Sequence, residues 1–178
     1  FHKYLIKSKK INLPAAILNI GGISNMTYLY DFKDNKILSK DLGPGNCLID
    51  QWIQKHTKKK FDDEGKISER GIVNEIILEQ ALELYENNFK KKNNISLDTN
   101  DFDLSFARGL SIEDGAATLI KFTSKIIASN IDLFLKDFLN KNIKVIICGG
   151  GRKNLNLIKQ IKLYTNKNLS LPCLLTLS

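Results

Sequence analysis

The chain contains no run of eighteen apolar residues, which excludes a membrane-crossing helix of ordinary length. It is also poor in arginine. Of its 27 basic residues only Arg70, Arg108 and Arg152 are arginines. Proteins that read nucleic acid carry clustered arginines with interleaved aromatics, so the net charge of +8 does not imply a nucleic-acid partner. Eighteen asparagines and many isoleucines accompany the lysines, the pattern that an AT-rich coding bias leaves on solvated faces. The tracts at residues 58–60 and 90–92 read accordingly as surface. Cysteine is scarce and odd in number: Cys47, Cys148 and Cys173 follow neither a metal-ligand nor a disulfide spacing, which fits a reducing, cytoplasmic setting. Cys148 ends an apolar run and reads as a small buried side chain. The first residues lack both an initiator Met and a signal-peptide apolar core. The expectation is a soluble chain that begins within a longer protein.

Glycine, by contrast, sits where it can do chemistry. Asn19-Ile-Gly-Gly-Ile-Ser-Asn25, Asp41-Leu-Gly-Pro-Gly-Asn46 and Cys148-Gly-Gly-Gly-Arg-Lys-Asn154 each place a glycine turn after a strand-like apolar stretch. Without a Cβ, backbone N–H groups in such turns approach phosphate oxygens closely. The outer two turns are therefore candidates to hold a nucleotide, and the middle one carries the carboxylate placed for chemistry, Asp41.

A length of 178 residues with 43% hydrophobic content suits a single domain spanning 1–178. Residues 15–20 read as a central strand, 26–32 as its alternating hairpin partner and 37–41 as a third strand, with a turn at Asp34-Asn35. Asn46 is expected to cap a helix over 47–56. A helix over 71–89 would bury Ile72, Ile76, Leu78, Leu82 and Tyr85, residues 90–105 read as loop, and Ser111-Ile-Glu-Asp114 forms a capping box for a long helix over 112–140. Residues 144–148 read as a parallel strand followed by a helix over 154–164. This α/β order of strands and helices is that of one half of the actin-like (RNase H-like) ATPase fold: a mixed sheet with packed helices and a helical insertion.

A closer resemblance rests on six collinear motifs: the three glycine segments together with Phe61-Asp-Asp-Glu-Gly65, Ser96-Leu-Asp-Thr-Asn-Asp-Phe102 and Asp114-Gly-Ala-Ala-Thr-Leu119. In this combination the chain resembles the anhydro-N-acetylmuramic acid kinases. The resemblance implies an ATP- and Mg2+-dependent enzyme of cell-wall recycling. Such an enzyme opens the 1,6-anhydro ring of a small-molecule amino sugar with water and phosphorylates O6. It implies Asp41 as catalytic base, Gly21, Gly22 and Ser24 facing the nucleotide phosphates, and Gly149, Gly150 and Gly151 beneath adenosine and the α-phosphate. Asn154 matches the family's asparagine there or simply caps the next helix, while Gly43, Asn46 and His2 fall on the sugar side. No residue is assigned to a metal. Neither a nucleic acid nor a membrane is implied, and a homodimer stays open.

The departures are Leu42 and Ile95, where many relatives carry Thr and Lys, and the text after about residue 165. The half of the fold that supplies the other phosphate loop is absent from the sequence. Two alternatives follow: a truncated, non-catalytic fragment of such a kinase, or an RNase H-like nucleic-acid enzyme. The latter requires several carboxylates on adjacent strand ends to hold two metals, where the first strand offers Asn19.

Overall fold

In the computed structural model of the chain, the structure describes residues 6, 11–31, 37–89, 96–138, 143–167 and 169–170. The strands β1 (Ala15–Ile20), β2 (Ile23–Leu29), β3 (Ile37–Pro44), β4 (Lys144–Cys148) and β5 (Leu169–Ser170) form one sheet in the order β3-β2-β1-β4-β5. β1 pairs antiparallel with β2, Leu18 opposite Met26, and parallel with β4, Ile17 opposite Ile146. The expected sharing of one sheet by residues 15–20 and 145–147 is what the register shows.

The unbroken apolar run of β1 has a direct cause. Ala16, Leu18 and Ile20 belong to the large core beneath the helices, while Ala15 and Ile17 join Ile6 and Leu29 in a second cluster on the opposite face. A strand buried on both faces cannot alternate with polar residues.

Four helices are described: α1 (Cys47–His56), α2 (Glu75–Phe89), α3 (Ile112–Phe134) and α4 (Leu155–Tyr164). α3 packs against α4, α1, α2 and β3, and its buried stripe includes Leu119, Ile120, Ile126, Ile127 and Ile131. Its start follows the expected capping pattern only in part. Ser111 Oγ accepts the Asp114 N–H at 3.0 Å, but the Asp114 carboxylate reaches across to the Ile72 N–H at 2.7 Å and ties the chain before α2 to this helix.

Several boundaries differ from expectation. β2 starts at Ile23, immediately after the glycine turn, because Ser24 is buried and serves the sheet despite its polarity. β3 runs on to Pro44. α2 begins at Glu75, where Asn74 Oδ1 accepts the Ile77 N–H at 3.1 Å. Its buried face carries Leu78 and Ala81, with Leu82 and Tyr85 packed against the core, whereas Ile72 and Ile76 are 79% and 71% exposed. α3 gives way after Phe134 to a single 3-10 turn at Lys136–Phe138. The expected loop of residues 90–105 contains a 3-10 turn at Thr99–Asp101. The turn at Asp34-Asn35 lies outside the described residues.

Trp52 locks α1 to the start of α3. It is 1% exposed, its Nε1 donates to the Ile112 carbonyl at 2.9 Å, and a Cβ on Gly115 would lie 2.1 Å from its ring. Replacing a helical glycine by alanine gains up to roughly 0.5–1 kcal/mol in propensity, but forcing a methyl into a filled core costs about 1–3 kcal/mol. The clash wins. Gly115→Ala is expected to lower the urea midpoint of unfolding, and a raised midpoint would contradict this packing.

Candidate active site

The first and second glycine segments are joined chiefly through backbone. At the β1–β2 turn the Gly21 and Gly22 carbonyls accept the N–H groups of Asn46 at 2.7 Å and Gly45 at 2.8 Å. A Cβ on Gly45 would stand 2.2 Å from the Gly21 oxygen, so only glycine permits the approach. Ser24 completes the joint from inside. Its fully buried hydroxyl lies 3.0 Å from the Gly43 carbonyl and 3.2 Å from that of Pro44. The side chain of Ser24 thus belongs to the scaffold of the turn, the Gly21 N–H is held by the Ile23 carbonyl at 3.1 Å, and the backbone donor that this turn can offer a phosphate is the Gly22 N–H.

β3 carries a bulge here. Ser24 pairs with Gly43 and Asn25 with Asp41, leaving Leu42 as the extra residue. A bulge of this kind re-aims neighbouring side chains. Leu42 drives its own side chain into the core and gives its carbonyl to Asn130 Nδ2 at 2.8 Å. Asp41, half-buried beside it, receives the Leu97 N–H on Oδ2 at 3.0 Å and the Ser96 hydroxyl on the same oxygen at 3.4 Å. Gly43 has φ +137° and lies against Ile126.

At the end of β4, Gly149 (φ +84°) lies so close to β1 that a Cβ would meet the Ile20 carbonyl at 2.4 Å, and one on Gly151 would meet the Ile20 side chain at 2.3 Å. Gly150 faces open space, with Asn46 Nδ2 the nearest group, 4.0 Å from where its Cβ would be. The structure therefore brings Gly21, Gly22, Asn46 and Gly150 to one place. Arg152 donates to the Gly149 carbonyl at 2.7 Å, and Asn154 Oδ1 accepts the Leu157 N–H at 3.0 Å, capping α4. Asn46 is the N-cap residue of α1, its carbonyl accepting the Asp50 N–H at 2.8 Å, but contrary to expectation it makes no side-chain cap: its backbone is already helical (φ −81°, ψ −10°), and its amide lies toward Gly150. His2 lies outside the described residues.

Burial pushes the Cys47 thiol up, and likewise that of Cys148, which Arg152 partly offsets. Neither is poised as a nucleophile. Among the described residues no three histidine, cysteine or carboxylate side chains cluster as metal ligands.

The profile of the anhydro-N-acetylmuramic acid kinases (AnmK) matches residues 1–170. The chain belongs to this family. It is 45% identical over 171 residues to the anhydro-N-acetylmuramic acid kinase of Pelagibacter ubique, covering 96% of the chain but 45% of that protein. It is 38% identical over 152 residues to that of Rhizorhabdus wittichii, covering 85% of the chain and 40% of the relative. The chain thus spans less than half the length of these kinases. Among solved structures it is similar to the activator of the 2-hydroxyisocaproyl-CoA dehydratase of Clostridium difficile with bound ADPNP, at a TM-score of 0.50 and 15% identity over 91% of the chain and 55% of the activator. That likeness gives the fold, one half of the actin-like ATPase architecture.

One charged group escaped the sequence reading. Asp50 lies one turn beyond Asn46 on α1 and hence on the same face. Partial burial, aided by nearby Asp62, pushes its carboxyl up to about 6. Asp62 is itself buried and accepts the N–H groups of Ile67 at 2.8 Å and Ser68 at 3.1 Å. Nothing in the spacing of Asp50 and Asp62 announces the pairing, which needs the loop after α1 to fold back. A carboxyl whose folded pKa exceeds its unfolded value binds protons more tightly when folded, so stability falls as pH rises through its titration. The melting temperature of Asp50→Asn should match that of the wild type below about pH 4 and exceed it increasingly up to about pH 6. A constant difference across that window would count against the assignment.

Proposed function

We propose that the chain forms one wall of the active site of an ATP-dependent kinase. Its substrate is anhydro-N-acetylmuramic acid, and its products are N-acetylmuramic acid 6-phosphate and ADP. The reading places the enzyme in the cytoplasm, in peptidoglycan recycling and amino-sugar catabolism. The observation that carries it is Asp41, a half-buried carboxylate aimed by a bulge and two donors beside glycine turns that converge in a chain of the AnmK family.

In this reading Asp41 takes a proton from a water whose oxygen attacks the anomeric carbon. The bond from that carbon to O6 breaks, O6 accepts the γ-phosphoryl group, and ADP departs. The turn of Gly21 and Gly22 faces the phosphates, with the Gly22 N–H as its donor; Gly149, Gly150 and Gly151 lie beneath adenosine and the α-phosphate, and Ser24 and Asn154 shape the turns. Gly43, Asn46 and His2 fall to the sugar. The absence of a ligand cluster among the described residues suits Mg2+, which keeps several waters and binds through one or two carboxylates together with substrate phosphates. When bound it would screen the phosphate charge.

The shortfall in length against the relatives favours a second reading, a non-catalytic fragment. The two separate when this chain replaces the matching segment of the Pelagibacter ubique kinase and formation of the 6-phosphate is measured. Turnover is expected, and a chimera that folds but never turns over favours the fragment reading. Asp41→Asn in the chimera keeps the turn but cannot take the proton, a loss of about 10²–10⁴-fold in rate. Turnover within about threefold of the parent, well short of that loss, would remove Asp41 from the chemistry.

A further inference from the structure

Five motifs of the sequence are absorbed by the glycine turns, by α3 and by the loop after α1; the sixth, residues 96–102, is not. Its geometry is specific. Although 55 positions separate Ser96 from Asp41, the Ser96 hydroxyl and the Leu97 N–H both meet Asp41 Oδ2. No donor among the described residues reaches the other oxygen. The segment is stiffened from within: Asp98 accepts the Asn100 N–H at 2.9 Å, and Asp101 returns to the Asp98 N–H at 2.8 Å, closing a capping box around the 3-10 turn. Phe102 anchors its far end in the core. Thr99 lies over the first glycine turn, its methyl 3.2 Å from where a Cβ on Gly22 would be.

We infer that residues 96–99 are a positioning strap, which fixes the rotation of the Asp41 carboxylate through one oxygen and sets its distance from the Gly22 turn. The Leu97 amide is the principal positioning group, with Ser96 supporting it. A carboxylate gripped at Oδ2 presents Oδ1 in a single direction, and a base must be held within hydrogen-bond reach of the proton it removes. The capping box makes this grip independent of bound ligand, so the carboxylate is oriented before substrate arrives. The catalytic consequence rests on the reading of Asp41 as the base; the contact itself does not.

The contact is tested on the 178-residue chain as it stands, by 1H–15N NMR and amide hydrogen exchange. In Asp41→Ala the Leu97 amide should move upfield and exchange about tenfold faster, the loss of roughly one hydrogen bond. The Asn100 amide, bonded to Asp98, should stay put, and the amides of Ile17 and Ile146 report that the sheet is intact. An unmoved Leu97 amide in a folded variant overturns the proposal. The chimera tests the consequence. Leu97→Pro, which deletes the donor, should lower kcat about tenfold with KM within about twofold, whereas Leu97→Ala, which keeps it, should retain kcat. Equal losses in both variants would mean that packing acts rather than the amide, and the positioning role falls. Retained turnover in Asp41→Asn would remove the base while the NMR result still judged the strap.

Discussion

The backbone clasp between Gly45–Asn46 and Gly21–Gly22 is the contact on which the rest of the site depends. It fixes where β3 ends relative to the β1–β2 turn, and therefore the height at which Asp41 stands above the sheet. It also starts α1, whose Cys47 N–H adds a third bond to the Gly22 carbonyl at 3.2 Å. Because no Cβ fits at Gly45, the turns approach to a distance that side chains would forbid. Backbone groups used in this way need no rotamer to be ordered, so the geometry comes at little entropic cost.

Much of this was legible in the sequence. An unbroken apolar strand ending in paired glycines, a second such strand ending in three, and an aspartate before Gly-Pro-Gly are local signals, and the sheet joins β1 to β4 as their pattern requires. Local signals failed where polar residues were recruited into the interior. Ser24 reads as turn but is buried in β2, and Asn46 caps α1 with its carbonyl but not with the side chain that the pattern suggests. Of the expected buried face of α2, Leu78, Leu82 and Tyr85 do meet the core, but Ile72 precedes the helix, Ile76 is exposed, and Ala81 turns inward. Periodicity defines a stripe on a helix without saying how the helix is rolled.

What no local pattern could reveal are contacts between distant residues. Asp50 beside Asp62, Asp114 reaching to Ile72, and Leu97 on Asp41 all require loops to return across the fold. Leu42 illustrates the converse. At this position the bulge gives Asn130 only a backbone carbonyl, so that bond does not depend on which side chain stands there. The buried leucine contributes apolar area instead.

The pairing of β1 with β4 also bears on how the polypeptide is made. Asn19 and its partner Cys148 are 129 positions apart. A ribosome adding about 5–20 residues per second needs on the order of ten seconds to cross such an interval. Throughout it β1, with apolar side chains on both faces, has β2 on one edge and nothing of its final neighbour on the other. Exposed edges of this kind template pairing between chains, and contacts so distant in sequence form slowly even once both strands exist. The most vulnerable moment for this architecture is thus nascent, and yield in cells should respond more to chaperone supply and translation rate than to the stability of the finished fold.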